Sequence, residues 1–228
     1  MIEPSNIDSL NVRAFFSTKG FVKENEKVHD VLSKKLDIPS SQIYLPIQKH
    51  TNIVHVVNEE TCPVVADAVI TARKELLIGV LVADCVPVLL FDKKKEVAGA
   101  VHAGWRGTAA KILKHTIDTM KESFNCEPGS IMLAIGPSIR QCSYEVSAEV
   151  KDGVIKATGE GDYYYQKGDK YHIDLSAANI IQALGAGIPE DNIWRSGECT
   201  HCNPDKFYSY RYSKGKATGR QGGFIGMW

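Results

Sequence analysis

The sequence has no excess charge of either sign, with 27 lysines and arginines against 27 aspartates and glutamates in 228 residues. No global field therefore draws it toward nucleic acid or an anionic membrane. Its start, MIEPSNIDSL, lacks the basic and apolar regions of a signal peptide, and no apolar run approaches the roughly 20 residues that a membrane span needs. A soluble cytoplasmic protein with neither nucleic-acid nor membrane partners is expected. Its six cysteines are irregularly spaced, unlike the dense framework of a small secreted domain, and in a reducing compartment such thiols serve metals or catalysis. No structural disulfide is expected. The seven histidines form no H-x-H pair, which argues against a laccase-type cluster of four coppers. H-x-E is also missing, so Cys199-Thr200-His201-Cys202 is not the second half of a zinc-deaminase signature. Internal repeats, low-complexity tracts and linkers are absent.

What is present is a hydrophobic fraction of 43%, enough for a substantial core and best read as one domain over 1–228. The centre is Leu77 to Thr108. An apolar run from Leu77 to Ala83 breaks at Asp84-Cys85, resumes from Val86 to Phe91, turns through Asp92 to Lys95 and runs again from Val97 into His102. Ionisable groups inside such runs require partners, so Asp84, Cys85 and His102 point to a site.

Around this centre, Val12 to Phe16 reads as a strand and Lys23 to Leu36 as a helix with apolar positions at Val28, Val31, Leu32 and Leu36. Ile43 to Ile47, Ile53 to Val57, Asp67 to Thr71, Ile131 to Ile135, Ile193-Trp194 and Phe207 to Tyr212 are further β-prone pieces, and Thr61 to Ala66 reads as loop. Thr108 is the expected N-cap of a helix carrying Ile112, Leu113, Thr116, Ile117, Met120 and Phe124 on one face. Helices are expected over Ser147 to Ala157 and after the cap Asp174, a hairpin over Tyr163 to Tyr171, and a glycine-rich turn over Thr218 to Gly223. Strands interrupted irregularly by four or so helices predict an α+β fold, with mixed β-sheets flanked by helices in a layered α/β sandwich.

His50 lies at a turn between two β-prone pieces. With Cys85 and His102 it makes two imidazoles and one thiolate on three segments, the three-ligand set of a catalytic zinc site with a fourth position left open. Packing alone also accounts for these types, with Cys85 a buried small hydrophobe and the histidines satisfied polar residues. The same Cys85 and His102 would also serve as nucleophile and base of a metal-independent cysteine hydrolase. A non-catalytic metal-binding module is a further alternative. Arg106, at the expected helix start, and Arg220, between glycines, are the anion candidates. Asp84 is the nearest carboxylate for moving a proton beside these donors, or an anchor for a ligand. Cys199 and Cys202 are expected to play structural or supporting roles, with zinc at that loop as the lesser alternative. Tyr208, Tyr210 and Arg211 read as strand residues outside the site.

Several motifs carry a resemblance. Gln48-Lys49-His50-Thr51-Asn52, Ala83-Asp84-Cys85-Val86-Pro87, the run His102 to Gly107, Gly136-Pro137-Ser138-Ile139 with Cys142 to Val146, the run Cys199 to Pro204, and Thr218 to Gly222 together resemble the YfiH-type laccase-domain family from about Gln48 to Trp228. That family was first described as polyphenol oxidases and is now assigned purine nucleoside phosphorolysis. The resemblance implies His50, Cys85 and His102 as zinc ligands, and activity on adenosine, inosine and 5'-methylthioadenosine with phosphate, together with adenosine deamination. Arg106, Arg220 and Gln48 become the substrate or phosphate contacts, and the partners are purine nucleosides and phosphate. Copper also suits thiolate and imidazole donors, which would make polyphenol oxidation a side reaction. Gln48-Lys49-His50-Thr51 departs from the family's usual Q-V-H-G, and Ser17-Thr18-Lys19-Gly20 is a reduced form of its N-terminal glycine-rich segment.

Overall fold

The structure, a computed structural model, describes residues 1–8, 10–23, 26–59, 62–216 and 219–228. Glu24 and Asn25 of the expected first helix, Thr61 of the expected loop and Thr218 of the expected turn lie outside the described residues. In chain order the elements are β1 (Val12–Phe16), α1 (Val28–Leu36), β2 (Ile43–Tyr44), β3 (Val54–Val56), β4 (Ala68–Thr71), β5 (Leu76–Val82), β6 (Val86–Asp92) and β7 (Val97–Ala103). They continue with α2 (Trp105–Ala109), α3 (Ile112–Phe124), β8 (Ile131–Ile135), β9 (Glu145–Val146), α4 (Ala148–Thr158), β10 (Tyr164–Lys167), β11 (Lys170–Ile173), α5 (Leu175–Gly185), β12 (Ile193–Arg195) and β13 (Gln221–Met227).

The fold is α+β with mixed sheets. One sheet has the order β1-β13-β5-β2 and a second the order β12-β8-β6-β7-β4-β3, while β10-β11-β9 form a small antiparallel third. Side chains alternate along a strand, and the burial follows that period. Leu89, Ala98 and Ala100 of the second sheet pack against Ile78, Val80 and Ile225 of the first, whereas Val88, Leu90 and Val101 pack on the opposite face with Ile112, Leu113 and Ile117 of α3. On the far side of the first sheet, Leu77 and Phe224 meet Val31 and Leu32 of α1. Helix, sheet, sheet and helix therefore stack in four layers. Both faces of each large sheet are buried, which is why β5, β6 and β7 read as nearly continuous apolar runs.

Local chemistry sets the boundaries. Helix α1 stops where Asp37 enters the left-handed region at φ 55° and returns its N–H to Ser33 O. Asp174 caps α5 by accepting from the N–H groups of Ser176 and Ala177. The β10–β11 hairpin turns at Gly168, φ 62°.

Three expectations are corrected. Thr108 does not start a helix: the chain turns helical at Trp105, breaks with Lys111 at φ 56° and resumes at Ile112. Thr108 is instead fully buried, its hydroxyl accepting from Asn179 and its carbonyl from Gln182 of α5, so burial consumes the side chain that a cap would have used. Phe207 to Tyr212 pairs with no strand and is irregular up to a turn that begins at Tyr210, because its aromatic residues anchor singly: Tyr208 is buried with its hydroxyl donating to Val22 O. Finally, Gln221 to Gly223, read as a turn, opens the central strand β13. A Cβ on Gly222 would stand 2.5 Å from Val80 O and 2.6 Å from the Phe224 ring. The glycine there serves close packing rather than a turn.

Candidate metal centre

The site is built where the chain crosses between the two large sheets. Strand β5 belongs to the first sheet and β6 to the second, and only Ala83-Asp84-Cys85 connects them. Asp84 takes φ 88° to make that corner, a left-handed conformation that costs about 1–2 kcal/mol for an ordinary residue. The carboxylate and carbonyl of Asp84 hold the strained corner in place. Its Oδ1 accepts from the Thr200 hydroxyl at 2.6 Å, its Oδ2 from the Arg211 N–H at 2.7 Å, and its carbonyl from the Ile139 N–H at 3.0 Å. With both side-chain oxygens engaged, Asp84 tethers three loops. It also lines a cavity beside His50 and Cys85, and of its two expected roles these bonds match the anchor.

Cys85 follows directly, and the antiparallel register of β6 and β7, with Val86 opposite Ala103 and Pro87 opposite His102, brings His102 alongside. His50 enters from the loop between β2 and β3, itself at φ 59°. The ligand atoms of His50, Cys85 and His102 all lie within 4.8 Å of one another. His50 Nε2 is 4.0 Å from Cys85 Sγ, and the two imidazoles meet edge to face with centroids 4.8 Å apart.

Room for the thiol comes from Gly104, where a Cβ would stand 2.9 Å from Cys85 Sγ and 3.3 Å from His50 Cδ2. Glycine at that position is thus favoured by the three-donor arrangement itself. One thiolate and two imidazoles converging on one point fit a tetrahedral ion with an open fourth position, given metal–sulfur bonds of about 2.3 Å and metal–nitrogen bonds of about 2.0–2.1 Å.

Asp67 was missed by the sequence reading and organises two of the three donors, His50 and His102. Fully buried just before β4, its Oδ1 lies 2.7 Å from His102 Nδ1. The same carboxylate accepts the N–H groups of Lys49, His50 and Thr51 at 3.2, 3.0 and 2.6 Å, and the Thr51 hydroxyl at 2.7 Å. It therefore sets the loop that carries His50 and the ring of His102 together. A histidine whose outer nitrogen bonds a carboxylate presents the other nitrogen to a metal.

The charges are strongly coupled. Burial opposes the charged forms of all three groups, yet their mutual hydrogen bonds and opposite charges win. Asp67 stays well below the usual carboxylate range, His102 is raised to about 9 against its own burial by Asp67 and Cys85, and the Cys85 thiol is lowered to about 6 by the two histidines. Without metal the pair is thus a thiolate and an imidazolium at neutral pH.

Two adjoining cavities open on this cluster, sharing His50, Cys85, Arg106 and Tyr210. One is about 600 Å³ and also reaches Gln48, His102 and Arg220, and the other is about 250 Å³ and reaches Trp105, Tyr144 and Arg211. Arg106 is exposed, with its guanidinium 4.4 Å over the Trp105 ring. Helix α2 spans only five residues, so the guanidinium rather than a helix dipole supplies the positive charge. This revises the expectation of a helix-terminus anion site. Gln48 lines the cavity with both ends of its amide bonded to the backbone of Leu81, each at 2.8 Å, which fixes the wall that it forms. Tyr210 and Arg211, set aside as strand residues, border the cavities because no strand forms there. Their signal was the single run Tyr208 to Tyr212 of aromatics and arginine, which periodicity alone assigned to packing.

The multi-copper polyphenol oxidoreductase laccase family model matches residues 4–228. Purine nucleoside phosphorylase YlmD of Bacillus subtilis is 35% identical over 163 residues, 71% of this chain and 58% of that protein. A purine nucleoside phosphorylase of Clostridium acetobutylicum is 37% identical over 183 residues, 78% of this chain and 74% of that protein. The matched stretch thus spans under two thirds of the Bacillus relative's own length. A protein from an unknown prokaryotic organism, named adenosine deaminase, is 34% identical over 197 residues, 79% of this chain and 73% of its own. The crystal structure of YfiH from Bacillus licheniformis superposes with a TM-score of 0.88 at 28% identity, covering 95% of this chain and 93% of that one.

Proposed function

The chain belongs to the multi-copper polyphenol oxidoreductase laccase family, and on that premise we propose that it is a zinc-dependent purine nucleoside phosphorylase that also deaminates adenosine. Its substrates in this reading are adenosine, inosine and 5'-methylthioadenosine, each taken with phosphate to the free base and the sugar 1-phosphate. The names borne by relatives of 34–37% identity support both activities. The observation that carries the reading is the convergence of His50, Cys85 and His102, backed by Asp67, at the junction of two cavities bordered by arginine.

The larger cavity, at about 600 Å³, is in the range that encloses a nucleoside-sized ligand. Arg106 and Arg220 supply cationic donors for phosphate, the planar fork of a guanidinium being suited to its oxygens. Tyr210 offers an exposed aromatic surface at the mouth of both cavities. Asp67 retains the Nδ1 proton of His102, so that the ring keeps one tautomer and one orientation. A zinc ion, if held by His50, Cys85 and His102, would supply Lewis acidity and would lower the pKa of a coordinated water to about 7.

The donor set argues for one ion here rather than a cluster of coppers. Of the seven histidines, only His50 and His102 meet in a metal-type grouping among the described residues. A single copper suits the same donors, with polyphenol oxidation as a side reaction.

A second reading uses Cys85 as nucleophile, His102 as base and Asp67 as its orienting carboxylate, the geometry of a cysteine hydrolase. The Asp67–His102 contact favours it; His50 on the third side of the thiol favours the metal. Incubation with adenosine and inosine, with and without phosphate, followed by chromatography for free base, sugar 1-phosphate and inosine, tests the leading reading. Absence of turnover in every combination, in protein holding stoichiometric zinc, overturns it.

A further inference from the structure

A second group of soft donors lies away from the first, on the other side of Asp84. Cys142 follows β8, and Cys199 and Cys202 lie on the loop between β12 and β13; the three sulfurs are all within 4.8 Å of one another. Cys142 Sγ is 3.6 Å from Cys199 Sγ and 3.6 Å from Cys202 Sγ, and the Ser143 hydroxyl is 3.2 Å from Cys202 Sγ. Packing does not explain the group, because Cys142 and Cys202 are exposed and only Cys199 is buried. The sulfurs are brought together by the backbone: Ser138 bridges Cys199, the Thr200 N–H donates to Ser138 O at 3.1 Å, and the Asn203 amide donates to Cys199 O at 2.9 Å.

We propose that Cys142, Cys199 and Cys202 hold a second metal ion, a thiophilic d10 cation of the Zn²⁺ or Cu⁺ class, that clips the two loops together. Metal–sulfur bonds of about 2.3 Å in a tetrahedron imply sulfur–sulfur edges of about 3.8 Å, close to the spacing already built here. A disulfide would join two of the sulfurs and leave the third unpaired. Thiolate-only donors select the soft ions over calcium or magnesium.

The clip has a direct mechanical connection to the first site. Thr200, between the two cysteines of the loop, donates to Asp84, and Asp84 fixes the corner that presents Cys85. The second ion therefore acts as a positioning device for the first.

Cobalt titration of the full chain under a thiol-free reductant provides the test, since the sulfur-to-cobalt charge-transfer band grows with the number of bound thiolates. Wild type should take two equivalents, one with the band of a single thiolate and one with that of three. Cys85→Ser should keep the three-thiolate band alone, and Cys85→Ser combined with Cys202→Ser should lose it while circular dichroism remains native. The wild-type titration needs no variant, so misfolding of either leaves the test intact. Separate loading with Zn²⁺ and with Cu⁺, followed by chelator competition, identifies which is retained. A Cys85→Ser chain, natively folded, that takes up no cobalt overturns the proposal. So does quantitative formation of a Cys142–Cys202 disulfide by oxidised glutathione that an equivalent of Zn²⁺ or Cu⁺ fails to prevent.

Discussion

Nδ1 of His102 lies 2.7 Å from Oδ1 of Asp67, a residue 35 positions earlier that is itself fully buried. Because that carboxylate also accepts the N–H groups of Lys49, His50 and Thr51, one buried charge orients ligands on two separate segments. Asp67→Asn should lower metal affinity about 10–100-fold, the usual cost of losing such an outer partner, measured by chelator competition. Unchanged affinity would remove Asp67 from the site.

Cys85→Ser should lose one equivalent of zinc, and zinc should protect Cys85 of the wild type from alkylation by iodoacetamide. Mass spectrometry of the modified peptide checks this. A chain purified without metal, alkylated at Cys85 and inactivated in step, would transfer the assignment to the cysteine hydrolase.

The acid limb of stability in the metal-free chain should belong to Asp67. Its folded pKa is depressed from an ordinary 3.8, so its contribution is present above that value and is lost as pH falls below about 4. His102, raised from 6.5 to about 9, contributes stability that is full below 6.5 and lost as pH rises through 9. Cys85, lowered from 9.0 to about 6, contributes stability present above 9 and lost as pH falls through 6. Between about 6.5 and 9 the last two slopes oppose each other, so urea midpoints of the metal-free chain should be nearly flat there. A steep slope in that window would contradict the thiolate–imidazolium pair.

Arg106→Ala should raise the KM for phosphate by roughly tenfold or more, the scale of a lost charge-assisted hydrogen bond of about 1.5–3 kcal/mol, with a smaller change in the KM for nucleoside. Initial rates at varied phosphate measure it. Equal effects on both constants would make Arg106 a general wall residue.

Asp84→Ala should destabilise the chain by about 2–4 kcal/mol, because two side-chain hydrogen bonds to buried or half-buried loops are lost while the left-handed backbone at φ 88° remains. Thermal unfolding measures the loss. Native stability with abolished deamination would assign Asp84 as the proton carrier instead.

Much of the fold was legible where period and length agree. The runs that became β5, β6 and β7 are apolar throughout and joined by short polar turns, so local pairing was readable, and the α3 face followed from its spacing. Thr108 misled because its N-cap chemistry is outweighed by burial against Asn179 and Gln182, partners more than 70 residues away. Gly222 and Gly223 misled because glycine in a turn and glycine under an aromatic ring look alike in a sequence.

The sequence by itself determined the donor chemistry: one thiol and two imidazoles at the ends of β-prone segments, two arginines among glycines and no reserve of histidines for a larger cluster. These are properties of residue types and neighbours along the chain. Only the tertiary structure decided that Asp67 stands behind His102, that Asp84 tethers the loops of Ile139, Thr200 and Arg211, that Gln48 spends its amide on Leu81, and that Cys142 meets Cys199 and Cys202. Each of those depends on strand register and on where loops meet between two stacked sheets, and through-space contact across such pairing leaves no spacing in the sequence to read.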